Sequence, residues 1–306
     1  MRGGTAQDEL RAGCPSSLAA PTMPPAWWRR GRHLSDGTTL HWWKQISAVL
    51  VVYGLYELVR NKTIAGPEVA FQNALRVMEW QQSLGINHEL AVQAWSLEWL
   101  PLIVFSNYFY GSVYLGATFG TIVWLYRRRS DAYPLWRNTL AFMTMLGLVG
   151  FAFFPLMPPR LLDVLGDGQL FGFVDTLVDY PTFWSFDSEA MRTVSNPFAA
   201  MPSLHCAWAF WGACALYPRV RSNWARGLAV AYPIVTVYVV VATGNHFILD
   251  AVGGVVIFVA GYGLARAFTR AGRGRPLSER DDDPREIGST EPVESDQRPY
   301  RSIAVR

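Results

Sequence analysis

Residues Leu100–Tyr126 run for 27 positions without a charged side chain. About 20 apolar residues carry a helix across the hydrocarbon of a bilayer, so this run constrains the chain more than any other feature. Others follow it. Asn138–Pro159 is uncharged for 22 residues and Gly227–Asn245 for 19, and Phe247–Ala265 is interrupted only by Asp250. Ser203–Pro218 is shorter, but Asn196–Pro202 before it lets a helix reach across. Trp42–Val59 carries Lys44 and Glu57 near its ends, where charged side chains can snorkel. The pattern predicts an all-α polytopic membrane protein, a bundle of six transmembrane helices over residues 42–268.

Composition excludes the main alternatives. Only 17% of the 306 residues are charged and 51% are hydrophobic, which is incompatible with disorder of the whole chain. Lys+Arg 27 against Asp+Glu 24 leaves a net charge of +3, so no nucleic-acid partner is expected. Cys206 and Cys214 lie eight residues apart on one predicted helix, about 12 Å of rise, too far for a disulfide. No Cys/His cluster has the spacing of metal ligands, and neither metal nor cofactor is expected.

The arginines orient the bundle. Arg127, Arg128, Arg129 and Arg137 lie between the second and third spans, and Arg219, Arg221 and Arg226 between the fourth and fifth. Cytoplasmic loops carry the Lys/Arg excess, so both loops belong inside. Six spans then put both termini in the cytoplasm, with 22 of the 27 cations on that side. The expected location is the plasma membrane.

Residues 62–97 read as an amphipathic helical stretch lying in the outer interface. Residues 160–202, with Gly166, Gly168, Gly172, Pro181 and Pro197, read as an outer loop. The ends, 1–41 and 269–306, are rich in Arg, Asp, Gly, Ser and Pro and read as disordered cytoplasmic tails.

Chemistry-bearing residues gather at the outer ends of spans four and six. Met201-Pro202-Ser203-Leu204-His205 opens the fourth span with a proline suited to a first helical turn, so Ser203 and the following N–H groups form an anion site. Gly244-Asn245-His246-Phe247-Ile248-Leu249-Asp250 opens the sixth. There His246 and Asp250 are i and i+4 on one helix face, within hydrogen-bonding reach. An ionisable residue inside a span is costly and marks function or a nearby partner. Each residue alone has a bland explanation: an interfacial histidine, or an aspartate capping a neighbouring helix. Together, two of the chain's five histidines share one membrane level with an oriented carboxylate and an anion site. That combination reads as a catalytic centre.

Pro202-Ser203-Leu204-His205, followed 41 residues after its histidine by His246-x-x-x-Asp250, resembles the type 2 phosphatidic acid phosphatase superfamily. The Ser-Leu-His form, with Pro155-Leu-Met-Pro-Pro-Arg160 closing span three, looks most like the inositol-phosphorylceramide synthase (inositolphosphotransferase) branch and its bacterial relatives. The resemblance covers roughly residues 42–268. It implies His246 as the nucleophile that forms a phosphohistidine, Asp250 as the group holding its other ring nitrogen, and His205 as general acid. It implies Arg160 and Ser203 as phosphate ligands, with Arg192 and Asn196 as further candidates. The implied substrate is a lipid phosphate or phosphodiester at the extracytoplasmic face.

Two departures bear on the substrate. In the wider superfamily a lysine stands seven residues before the first-motif arginine, and an arginine six residues before the nucleophilic histidine. Those positions are Phe153 and Val240 here. Hydrogen bonds to charged groups contribute roughly 1.5–3 kcal/mol each, so the departures disfavour a doubly charged phosphomonoester relative to a phosphodiester. Three readings stay open. The chain is a lipid phosphotransferase, a lipid or polyprenyl phosphate phosphatase, or, in another class, a non-catalytic scaffold or transporter.

Overall fold

The computed structural model describes residues 31–33, 39–47, 50–51, 54, 66–165, 170–180, 182 and 196–273. Helices dominate: α1 (Pro67–Leu84), α2 (Glu89–Leu97), α3 (Leu100–Tyr108), α4 (Tyr114–Arg128), α5 (Tyr133–Phe153), α6 (Leu162–Leu165), α7 (Thr176–Asp179), α8 (Leu204–Leu216), α9 (Asn223–Ala242) and α10 (Ile248–Arg273). The class is all-α. A compact unit of the chain ends at Arg266.

Each helix limit has a local cause. Pro67 starts α1 with the ring geometry of a first turn. Gly85, at φ 69°, ends it with a Schellman turn, donating to Gln82 O while Ile86 N–H donates to Gln81 O. A five-residue π-helix, Phe109–Val113, joins α3 to α4 without a break, so the 27-residue uncharged run is one continuous helical path. Single π turns of this kind recur at functional sites. The third expected span overshoots. α5 stops at Phe153 because Pro155, Pro158 and Pro159 cannot continue a helix. The chain is extended instead: Leu156 N–H donates to Phe198 O, and Met157 N–H to Ala70 O.

Two helices, Asn223–Ala242 and Ile248–Ala271, are long and apolar enough to cross a membrane, and α8 is a shorter apolar helix. Only 39% and 33% of the two long segments are buried, whereas the core helix of a soluble protein is mostly buried. Leu228, Ile234, Val252, Val256 and Val259 point outward from them. Exposed apolar faces of this extent suit lipid and not water. This is a membrane protein.

Half of the expected first span, Trp42–Val59, falls outside the described residues; 42–47, 50, 51 and 54 of it are helical. In the stretch expected as an N-terminal tail, Gly31–His33 (β1) pairs antiparallel with Thr39–His41 (β2). Leu40 is buried there in a cluster with Leu125, Tyr133 and Trp136, which gives those residues a reason to be ordered.

The stretch at 62–97 is also more than an interfacial helix. α1 and α2 turn polar side chains inward: Asn73, Gln81, Glu89, Gln93 and Ser96 are all buried. Asn73 Nδ2 donates to Pro155 O at 2.8 Å, tying α1 to the extended segment after α5.

Candidate active site

His246 stands two residues before α10, not on a helix face with Asp250 as expected, because the helix starts only at Ile248; Asp250 lies in its first turn. The opening N–H groups of a helix lack intrahelical partners and must find acceptors, the more so out of water. Asp250 Oδ2 accepts the Phe247 N–H at 2.9 Å, as a third-position carboxylate does in a capping box. Glu89 Oε1 accepts the Ile248 N–H at 2.8 Å, and Gln81 Oε1 the Leu249 N–H at 2.9 Å. The helix start is therefore held by its own aspartate and by two side chains from α1 and α2. Its positive end favours the buried Asp250 carboxylate.

The same Asp250 Oδ2 stands 3.3 Å from His246 Nδ1. That is a long hydrogen bond, yet it fixes Nδ1 as the donor and leaves Nε2 for chemistry. Asp250 Oδ1 is buried with no hydrogen bond among the described residues. His246 is almost wholly buried. Its backbone is set by the turn between α9 and α10, where the N–H groups of Asn245 and His246 both reach Val240 O at 3.0 and 3.1 Å. Gly244 makes that turn at φ 65°, and a Cβ on it would lie 2.8 Å from Gln93 Nε2, so no other residue fits without displacement.

His205 sits in the first turn of α8, its ring centroid 5.6 Å from that of His246, edge to face. Ser203 caps the helix, its Oγ accepting the Cys206 N–H at 3.4 Å. Its own N–H donates to Asp250 O at 2.9 Å, locking the two helix starts together. Gly254 permits that approach, since a Cβ there would meet Ser203 O at 2.5 Å. His205 has no hydrogen bond among the described residues. Two aromatic rings hold it instead: Tyr110 stacks at 4.5 Å and Tyr114 lies tilted at 4.3 Å. Both come from the π-helix and the residue that follows it.

Arg160 reaches the site from the 3-10 turn Pro159–Leu161. Its backbone N–H donates to Gly244 O at 2.8 Å and its Nε to Asn245 Oδ1 at 2.9 Å. Its Nη1 is 2.6 Å from Asp175 Oδ2. The guanidinium is thus held by Asn245, the residue preceding His246, and by Asp175.

The structure therefore brings His205, His246, Asp250, Ser203 and Arg160 together from three separate stretches of chain. Asn196 is differently engaged. Its Oδ1 accepts the Phe198 N–H at 3.0 Å in the strap leading to Pro202, and no contact joins it to Arg160 or the histidines among the described residues. Arg192 lies outside the described residues. The two positions where the wider superfamily carries cations are also placed: Phe153 is 84% exposed at the end of α5, and Val240 is 1% exposed in a core with Cys206 and Ala251.

Sequence reasoning missed six residues. Asn245 stands beside the second motif and could have been found there. Glu89, Gln81 and Asp175 are polar residues whose positions carry no motif. Tyr110 and Tyr114 lie inside a charge-free run, where an aromatic reads as lipid-facing.

The family model of the PAP2 superfamily matches residues 75–264, more than half of the chain, and encloses every residue of this cluster. No curated protein and no solved structure matches the chain.

Proposed function

The chain belongs to the PAP2 superfamily, a family of phosphatase- and phosphotransferase-type lipid enzymes, and we propose that it moves a phosphoryl-bearing headgroup between lipids through a phosphohistidine on His246. The observation that carries this reading is the alignment of His246: Nδ1 on the buried Asp250 carboxylate, Nε2 without a hydrogen bond among the described residues, and the His205 ring edge to face with it at 5.6 Å.

In the first step His246 Nε2 attacks phosphorus, and the P–O bond to the leaving alcohol breaks as the P–N bond forms. His205 donates its proton to the departing oxygen. Asp250 stabilises the positive charge that develops on the imidazole ring. Arg160, the Ser203 hydroxyl and the opening N–H groups of α8 face charge on the phosphoryl oxygens. In the second step His205 takes a proton from the acceptor hydroxyl, which attacks phosphorus and releases His246. Microscopic reversibility lets one histidine serve as acid and then as base.

The acceptor is an alcohol in an inositolphosphotransferase-like reaction and water in a phosphatase reaction. Transfer of a diester headgroup is favoured by the cation count. Neither Phe153 nor Val240 contributes a charge, and a monoanion needs less compensation than a dianion. The family's phosphatase character supports hydrolysis of a lipid or polyprenyl phosphate as the second reading. Six spans over residues 42–268, with both termini cytoplasmic, put this chemistry at the outer face of the plasma membrane.

The deciding experiment uses purified full-length protein in detergent against a panel of lipid phosphomonoesters and phosphodiesters, with and without acceptor alcohols. Product formed only with an alcohol supports transfer, and release of free phosphate supports hydrolysis. Turnover retained in His246→Ala on every substrate would falsify the phosphohistidine reading.

A further inference from the structure

Asp175 carries a charge that its local structure does not require. One carboxylate oxygen, Oδ1, caps α7 by accepting the Leu177 N–H at 3.2 Å. Asparagine or serine caps a helix about as well, so the cap explains an oxygen and not a negative charge. The other oxygen, Oδ2, lies 2.6 Å from Arg160 Nη1, with side-chain exposures of only 19% for Arg160 and 10% for Asp175.

The backbone on either side is pinned, so this pairing is not a chance of a loose loop. Gln93 holds both polar groups of Val174, accepting its N–H at 2.9 Å and donating to its carbonyl at 3.1 Å. Thr176 Oγ1 bonds Asn107 Oδ1 at 3.0 Å and Thr243 O at 3.2 Å. Asp175 stands between these two anchors. Arg160 meanwhile spends Nε on Asn245 and Nη1 on Asp175, and its Nη2 makes no hydrogen bond among the described residues. An incoming phosphate therefore meets a guanidinium with free donors and a carboxylate already at its side.

We propose that Asp175 is a specificity-determining residue which, by lowering the positive potential that the Arg160 corner offers, selects singly charged phosphodiesters over doubly charged phosphomonoesters; this rests on Arg160 being a phosphate ligand. The physical reason is simple. Repulsion from a fixed carboxylate grows with the charge of the approaching anion, so a dianion is penalised about twice as much as a monoanion. A buried ion pair adds little stability over well-packed neutral partners, although removing one member leaves the other uncompensated, so folding of each variant is checked before binding is read. The residue does at short range what the absent cations do by omission: it lowers the positive potential of the cradle.

Binding separates this proposal from the catalytic reading. Methyl phosphate, mainly a dianion at about pH 8, and dimethyl phosphate, a monoanion, differ by one methyl group. Their affinities for the full chain in detergent are measured by calorimetry for the parent, Asp175→Asn and Asp175→Ser. Both variants keep a capping acceptor, so one remains usable if the other fails to fold. Methyl phosphate should bind roughly tenfold more tightly to the variants, and dimethyl phosphate no more than about threefold. Equal changes for both probes, weaker binding of both, or no binding to parent and variants alike would each overturn the proposal. Arg160→Gln in the same assay should lose both probes; retained binding would put the anion elsewhere and remove the premise. If the binding shift appears but the parent turns over no lipid phosphate, the catalytic reading fails while the charge selection stands.

Discussion

Glu89 and Ile248 are 159 positions apart in sequence, yet Glu89 Oε1 accepts the Ile248 N–H at 2.8 Å. With Gln81 on Leu249, this hands control of the α10 start, and so of His246 and Asp250, to the helices that precede the first long apolar run. Glu89 is fully buried, and its Oε2 makes no hydrogen bond among the described residues.

Glu89→Gln keeps the accepting oxygen and removes the buried charge. Turnover should stay within a few-fold of the parent, and the melting temperature should hold or rise, because a neutral amide costs less to bury. Glu89→Ala strips the acceptor and orphans the Ile248 N–H. It should lower kcat more than tenfold and melt lower by several degrees. Loss of activity in Glu89→Gln equal to that in Glu89→Ala would show that the charge, and not the cap, matters.

His246→Ala should abolish turnover while the protein stays monodisperse in detergent, since among the described residues only the Asp250 side chain shares a hydrogen bond with its ring. Asp250→Asn should cost on the order of 10³–10⁴ in kcat, because an amide does not stabilise the charged imidazole and disturbs the tautomer. Asp250→Asn also weakens the cap on Phe247, so its melting temperature is measured beside its rate.

The pairs legible in the sequence were those set by short-range periodicity. His246 and Asp250 pair at their spacing of four, although His246 precedes α10 and shares no helix face with Asp250, and Ser203 caps α8, which starts at Leu204, two residues after Pro202. What stayed hidden depends on contacts between distant segments. Nothing near Asp175 announces Arg160, and nothing near Gln81 announces Leu249. Phe153, seven residues before Arg160, is the last residue of α5 and 84% exposed, an end that Pro155 sets and that motif spacing alone does not foretell.

Tyr110 is expected to act through His205. Its ring stacks on the imidazole at 4.5 Å, and Arg160 and Asp175 lie within its electrostatic reach. Tyr110→Phe preserves the stack and should keep most of the activity. Tyr110→Leu leaves only Tyr114 against the imidazole and should lower kcat, more on substrates with poor leaving groups than on those with acidic ones, since only the former need a well-placed proton donor. Rates on a leaving-group series read this directly. An equal loss across the series would mean that the ring merely supports the fold.

The orientation of the site is open to direct labelling. Leu170 is 90% exposed in the segment between Arg160 and Asp175, while Asn223 is exposed at the start of α9, beside the Arg219–Arg226 cluster. If the positive loops face the cytoplasm, the site end of the bundle faces outward. Single cysteines at these positions, in a background with Cys14, Cys206 and Cys214 replaced, give opposite expectations with an impermeant maleimide on intact cells. Leu170→Cys should label and Asn223→Cys should label only after the membrane is opened. The removal of Cys214 is essential, because it is itself exposed. Labelling of Asn223→Cys alone on intact cells would turn the bundle over and place the phosphoryl chemistry on the cytoplasmic leaflet.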